Sequence, residues 1–114
     1  MAQELYWAYV GFTDIADGKT RPVLYIRQTK KNYIVFRLSS QYDNKSDFIK
    51  SKYIEIRDWQ LIGLSKKSWI DTVQTYQLPI DKTKLTYIGK LSKDDYERLI
   101  IHLKNQYLFV QVGE

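Results

Sequence analysis

PVLYIRQTKKNYIVFRL, residues 22–38, decides the fold. Two runs rich in β-branched and aromatic residues flank the short polar stretch Lys30-Lys31-Asn32, which predicts an antiparallel hairpin. The second run alternates: Ile34, Phe36 and Leu38 are expected on one face, Tyr33, Val35 and Arg37 on the other. If the strand continues straight, Ser39 shares the less buried face with Arg37. Just upstream stands DGKTR, residues 17–21. Asp17-Gly18 signals a turn, because glycine accepts the positive φ that tight turns demand. Pro22 suits the first residue of a strand, where no ladder donor is yet needed, and its ring pushes Arg21 towards an extended backbone. Arg21 is therefore mounted on a stiff hinge between a turn and a buried strand.

Working outward, LYWAYVGF (5–12) is apolar throughout and predicts a buried strand, followed by the loop TDIADGKT. Beyond the hairpin, SQYDNKSDFIKS reads as a long loop, and KYIEIRD (52–58) alternates again with Ile54 and Ile56 inward. Asp58 is placed to cap a short helical turn through WQLIGL that Gly63 would end. SWIDTVQTYQL (68–78), stopped by Pro79, and LTYIGKL (85–91) are further strands. The clearest helix is the last element. Ser92 and Asp95 have capping-box spacing, Asp94 and Asp95 suit the helix dipole, and Tyr96, Leu99, Ile100, Leu103 and Tyr107 form one apolar stripe. Six short strands and one amphipathic C-terminal helix imply a mainly β (α+β) chain: a small antiparallel β-barrel with a packed helix, in one domain over 1–114.

Composition removes several classes of chemistry. The chain has no cysteine, so a disulfide scaffold, a thiolate zinc site and a cysteine nucleophile are excluded. The N-terminus lacks a basic flank followed by an apolar segment, and no later run is long enough to span a bilayer; a cytoplasmic protein without membrane contact is expected. The single histidine, His102, lies beside core positions of the last helix and reads as structural or surface-exposed, which rules out a two-histidine ribonuclease mechanism. Asp94-Asp95 is explained as a helix start, and Asp43, Asn44 and Asp47 share their loop with a competing Lys45, so no metal is expected. No phosphate loop or dinucleotide fingerprint is present, and no cofactor is expected.

Eighteen Lys plus Arg against 13 acids give a formal charge of +5, a surplus that suits an anionic partner or plain solubility. Ten Tyr and three Trp add rings able to stack on unpaired bases, although most of them will fill the core. The remaining polar groups near loops are Lys19, Thr20, Arg21, Ser39, Ser40, Gln41 and Lys45. Such donors suit one reaction in particular. RNA carries its own nucleophile, the 2′-hydroxyl, so a site that aligns it and stabilises charge on the phosphoryl oxygens needs neither metal nor added water. A guanidinium offers a two-toothed donor face to those oxygens. Spacing alone permits this chemistry; it equally permits Arg21 and Ser39 to be ordinary loop residues.

GKTRPVLYI (18–26) resembles the hallmark GxxRPVLVI segment of the MazF/PemK family of toxin endoribonucleases. RLSSQ (37–41) sits where that family ends a strand in Thr-Ser or Thr-Ala, often followed by Gln. GLSKKSWIDTVQTYQL (63–78) is similar to its G-L-x-x-x-S-x-V/I strand, with Gln74 at a frequent glutamine, and IGKLSKDDYERLIIHL (88–103) to its closing helix. The resemblance implies an SH3-like barrel that dimerises and binds single-stranded RNA in a groove near the dimer interface. It implies metal-independent cleavage of the mRNA-interferase type, leaving a 2′,3′-cyclic phosphate and a 5′-hydroxyl, and neutralisation by an acidic antitoxin. Carried over by motif, Arg21 matches the catalytic arginine and Ser39 the catalytic threonine. Ser40 and Gln41, with Lys19, Thr20 and Lys45, would contact substrate, and the loop from Asp14 to Thr20 would flank the scissile phosphate.

Departures from the pattern are specific. Serine replaces threonine at position 39, keeping the hydroxyl but loosening its rotamer. One branch of the family uses an arginine and an acid two residues later on the 68–78 strand, where this chain has Asp71 and Val73. Two other readings stay open: a non-catalytic barrel binding nucleic acid, and a barrel binding an acidic protein. Trp59 is expected in core or dimer packing, Trp69 is unassigned, and Lys66-Lys67 belongs either to a groove or to solvated surface.

Overall fold

A computed structural model of the chain describes residues 3–10 and 20–113. Six strands, β1 (Glu4–Val10), β2 (Arg21–Gln28), β3 (Asn32–Ser39), β4 (Tyr53–Ile56), β5 (Ser68–Pro79) and β6 (Thr83–Lys90), form one antiparallel sheet in the order β4-β5-β3-β2-β1-β6. Three helices accompany them: α1 (Asp47–Lys50), α2 (Trp59–Ile62) and the long α3 (Lys93–Gly113). A 3₁₀ turn, Ile80–Lys82, joins β5 to β6. The β2–β3 hairpin forms as the sequence predicts, its turn tied by the Thr29 N–H donating to Asn32 O at 2.8 Å.

The sheet curls into a small barrel-like body but does not close through hydrogen bonds, since β4 and β6 remain its two edges. Helix α2 lies close to the β6 edge instead. A Cβ on Gly89 of β6 would stand 2.4 Å from the Ile62 carbonyl oxygen of α2, so only glycine permits the approach. Gly63 ends α2 at φ 109°, a left-handed cap whose N–H reaches the Trp59 and Gln60 carbonyls.

Strand alternation distributes the core over both faces. One face carries Leu5, Leu24, Phe36, Leu38, Ile56 and Ile70, covered by Ile62 of α2 and Leu99 of α3, with Tyr96, Leu103, Ile54 and Trp59 packed against them. The other carries Ala8, Val23 and Val35, backed by Tyr6, Tyr33, Tyr76, Leu78 and Leu85. Val35, placed by its alternation on the less buried side, is fully buried in this second cluster. That is why β1 and β2 lack polar alternation: both of their faces are packed.

Two local expectations are corrected. Residues 40–51, read as loop, contain α1, whose N-cap Ser46 Oγ accepts the Ile49 N–H at 3.3 Å. The Ser92–Asp95 pair caps α3 from one side only: Ser92 Oγ accepts the Asp95 N–H at 3.2 Å. The buried Asp95 carboxylate turns instead to the Arg57 and Asp58 N–H groups, at 3.1 and 3.0 Å, and to the Arg98 guanidinium. It staples α3 to the β4–α2 junction.

Candidate functional site

A cavity of about 630 Å³ opens on the sheet face that bears the smaller core cluster. Register explains which residues meet there. Val23 of β2 pairs with Arg37 of β3, and Arg37 in turn with Asp71 of β5. Beyond Val23–Arg37, Arg21 begins β2 paired with Ala8 of β1, and Ser39 ends β3 paired with Trp69 of β5. Arg21 and Ser39 both line the cavity. So do Ser40, Gln41 and Lys45, which follow β3.

Lys19 falls outside the described residues, as does most of the Asp14–Thr20 loop. Thr20 is exposed one residue before β2 and is not among the described residues lining the cavity. Arg21 is exposed and has no hydrogen-bond partner among the described residues, so its donor face is open to the cavity. Ser39 is different. Its hydroxyl donates to the Gln41 carbonyl oxygen at 3.1 Å and accepts the Gln41 N–H at 3.0 Å, closing a tight turn at the end of β3. That turn aims Ser40 and Gln41.

Arg37 and Tyr76 were not expected at the site from the sequence. Arg37 is exposed in the cavity; its Nη1 donates to the Tyr76 hydroxyl at 3.1 Å, and its guanidinium lies 5.1 Å from the Tyr76 ring centroid. The Tyr76 hydroxyl also accepts from Gln74 Nε2 at 3.1 Å, which fixes the phenol under the arginine. Lys66 lines the cavity, whereas Lys67 turns away to Trp69 and to Glu55 at 3.3 Å. Among the described residues lining the cavity, Asp71 is the single acid against Arg21, Arg37, Lys45 and Lys66. The surplus of cations makes the cavity attractive to phosphate. Trp7, Tyr53 and Tyr76 add aromatic walls. The available signal was the placement of Arg37 and Ser39 on one face of β3.

Trp69 stacks on Tyr42 with centroids 4.9 Å apart and planes 10° off parallel, and Lys67 and Lys50 cover the outer faces of the pair. Trp59 packs against the main core. His102 lies on the far side of the sheet from the cavity, its Nε2 3.1 Å from Thr72 Oγ1. The Thr72 hydroxyl hydrogen goes to the Lys52 carbonyl oxygen at 2.6 Å, so the ring nitrogen is the donor. Burial holds the imidazole below its usual range; nearby Lys52 pushes the same way, and a hydrogen bond with Gln106 opposes both. His102 ties α3 to β5 and takes no part in the cavity. No three His, Cys, Asp or Glu side chains among the described residues group as a metal site requires. No described helix is long and apolar enough to cross a membrane.

Compared with solved structures, the chain superposes on the Mycobacterium tuberculosis toxin MazF-mt6 with a TM-score of 0.60, over 89% of this chain and 95% of that one, at 17% identity. The fold is MazF-like. No protein-family model and no curated protein sequence matches the chain. The likeness therefore establishes architecture, an antiparallel sheet with a C-terminal helix, and the chemistry must be argued from the cavity.

Proposed function

We propose that this protein is a metal-independent endoribonuclease toxin of a type II toxin–antitoxin system, cutting single-stranded RNA to 2′,3′-cyclic phosphate and 5′-hydroxyl ends. One observation carries the reading: Arg21, the first residue of β2, and Ser39, the last of β3, line one cationic cavity of a MazF-like fold. In this reading Arg21 donates to the non-bridging oxygens as charge builds on the phosphorane, with the same charge at every physiological pH. Ser39, through its turn, presents Ser40 and Gln41 to the bridging atoms and the ribose. Lys45 and, from the entry loop, Lys19 and Thr20 hold flanking phosphates. The aromatic walls stack unpaired bases, each stack contributing about 1–3 kcal/mol. By the same analogy the protein works in the cytoplasm as a homodimer, and an acidic antitoxin silences it by filling the cationic groove.

The test is end-mapping. RNA of varied sequence, incubated with the protein in EDTA, should yield fragments ending in 2′,3′-cyclic phosphate, and a single 2′-deoxy substitution at the cut site should abolish that cut. Intact RNA across many sequences sinks the proposal. The Ser39 hydroxyl, occupied by Gln41 on both its donor and acceptor sides, favours one alternative: a barrel that binds nucleic acid without cutting it. That alternative predicts salt-sensitive retention of RNA with no new ends.

A further inference from the structure

Attack by a 2′-hydroxyl needs a group to take its proton, and the residues already assigned do not supply one. Arg21 is a permanent cation. The Ser39 hydroxyl is engaged by Gln41 and is in any case a weak acceptor of a full proton. His102 lies on the other side of the sheet. Asp71 remains, the one carboxylate among the described residues that line the cavity. It stands directly across from Arg37 on β3 and from Tyr53 on β4. Its Oδ1 accepts the Val73 N–H at 2.9 Å, and among the described residues the carboxylate makes no ion pair, although Arg21, Arg37, Lys45 and Lys66 share its cavity. Oδ2 has no hydrogen-bond partner among the described residues.

We infer that Asp71 is the general base of the reaction, an assignment that rests on the ribonuclease reading above. Ser39 pairs with Trp69, two residues along β5 from Asp71, so Ser39 and Asp71 are diagonal neighbours. Diagonal pairs lie about 7–8 Å apart, room for a ribose between them. The carboxylate takes the proton from O2′, whose electron pair forms the new bond to phosphorus. The P–O5′ bond breaks, its pair stays on O5′, and that oxygen takes a proton from water. Asp71 then returns its own proton to solvent. Arg21 and Arg37 neutralise the non-bridging oxygens, and Tyr53 and Tyr76 wall the site.

A structural role competes: the Val73 N–H bond caps a stretch where β5 departs from its register with β3. Asp71→Asn separates the two, because the amide keeps the acceptor for Val73 and loses the base. Single-turnover cleavage in EDTA across a pH series, binding of a fully 2′-deoxy analogue and thermal melting should be measured together. The variant should melt and bind like wild type while cleaving at least about 10²-fold more slowly. It should also lose the decline in rate that wild type shows on acidification. Asp71→Glu, with a carboxylate on a longer stem, should recover at least about tenfold over the Asn variant and regain the acid decline. An Asn variant that cleaves within a few-fold of wild type overturns the assignment. So does one whose loss is matched by lost binding or melting, or a folded Glu variant no better than Asn. Wild type that leaves RNA intact overturns the ribonuclease reading itself, and this inference with it.

Discussion

At the scale of single residues, the arrangement of arginines separates this chain from a generic basic surface. Arg21 stands exposed at the start of β2, its backbone held extended before Pro22; Arg37 is aimed by a phenol that Gln74 holds in turn. If Arg37 meets a phosphate, Arg37→Ala should weaken binding of a non-cleavable deoxy-oligonucleotide. It should also flatten the dependence of log K on log salt by about 0.7, the contribution of one contact on a single strand. An unchanged slope would mean that Arg37 serves only its tyrosine. Position 21 was legible because proline constrains its neighbour and because RPVL lies within a motif. Position 37 was not, and position 71 was seen only as a departure from a family pattern, since their meeting comes from a cross-strand pairing that no local pattern announces. Serine at 39 was legible as a hydroxyl, and its closure onto Gln41 was not.

At the scale of elements, the strands and the long helix followed from apolar periodicity, the end of β5 from Pro79, the start of α3 from Ser92 and the end of α2 from Gly63. Helix α1 was missed because four residues are too few to show a period, and only the Ser46 cap betrays it. The contact between α2 and β6 was equally invisible, and it makes a sharp prediction. Gly89→Ala drives a methyl into the Ile62 backbone and should cost about 1–3 kcal/mol in urea unfolding, more than an ordinary surface substitution. Asp95→Ala should cost about 2–4 kcal/mol, since it strips the Arg57 and Asp58 N–H groups of their acceptor and leaves Arg98 without its carboxylate. The Ser92–Asp95 spacing disclosed a cap; the partner of that carboxylate, far off in sequence, appears only on folding.

At the scale of the whole molecule, an open antiparallel sheet is packed on both faces and keeps one cavity wall for cations. The helix-bearing face holds the one histidine, and pH should report on it. Burial keeps His102 neutral in the fold, so the unfolded chain takes up the proton first. Stability should be level above the usual value of 6.5 and decline as pH falls below it. His102→Gln should flatten that decline between about pH 7 and 5.5, measured by thermal melting, without touching cleavage. Class and architecture were readable because hydrophobic pattern and turn chemistry agree along the chain. The open sheet edge and the makeup of the cavity depend on how distant strands meet.

On the proposed function, Arg21 at the start of β2 works with the end of β3 on a transferring phosphate. Single-turnover cleavage of one RNA in EDTA by wild type and by Arg21→Ala tests it most directly. The account predicts clean cutting by wild type and a slowing of at least about 10²–10³-fold in the variant, with little change in melting temperature. Equal rates for the two proteins, or no cutting by either, would contradict it.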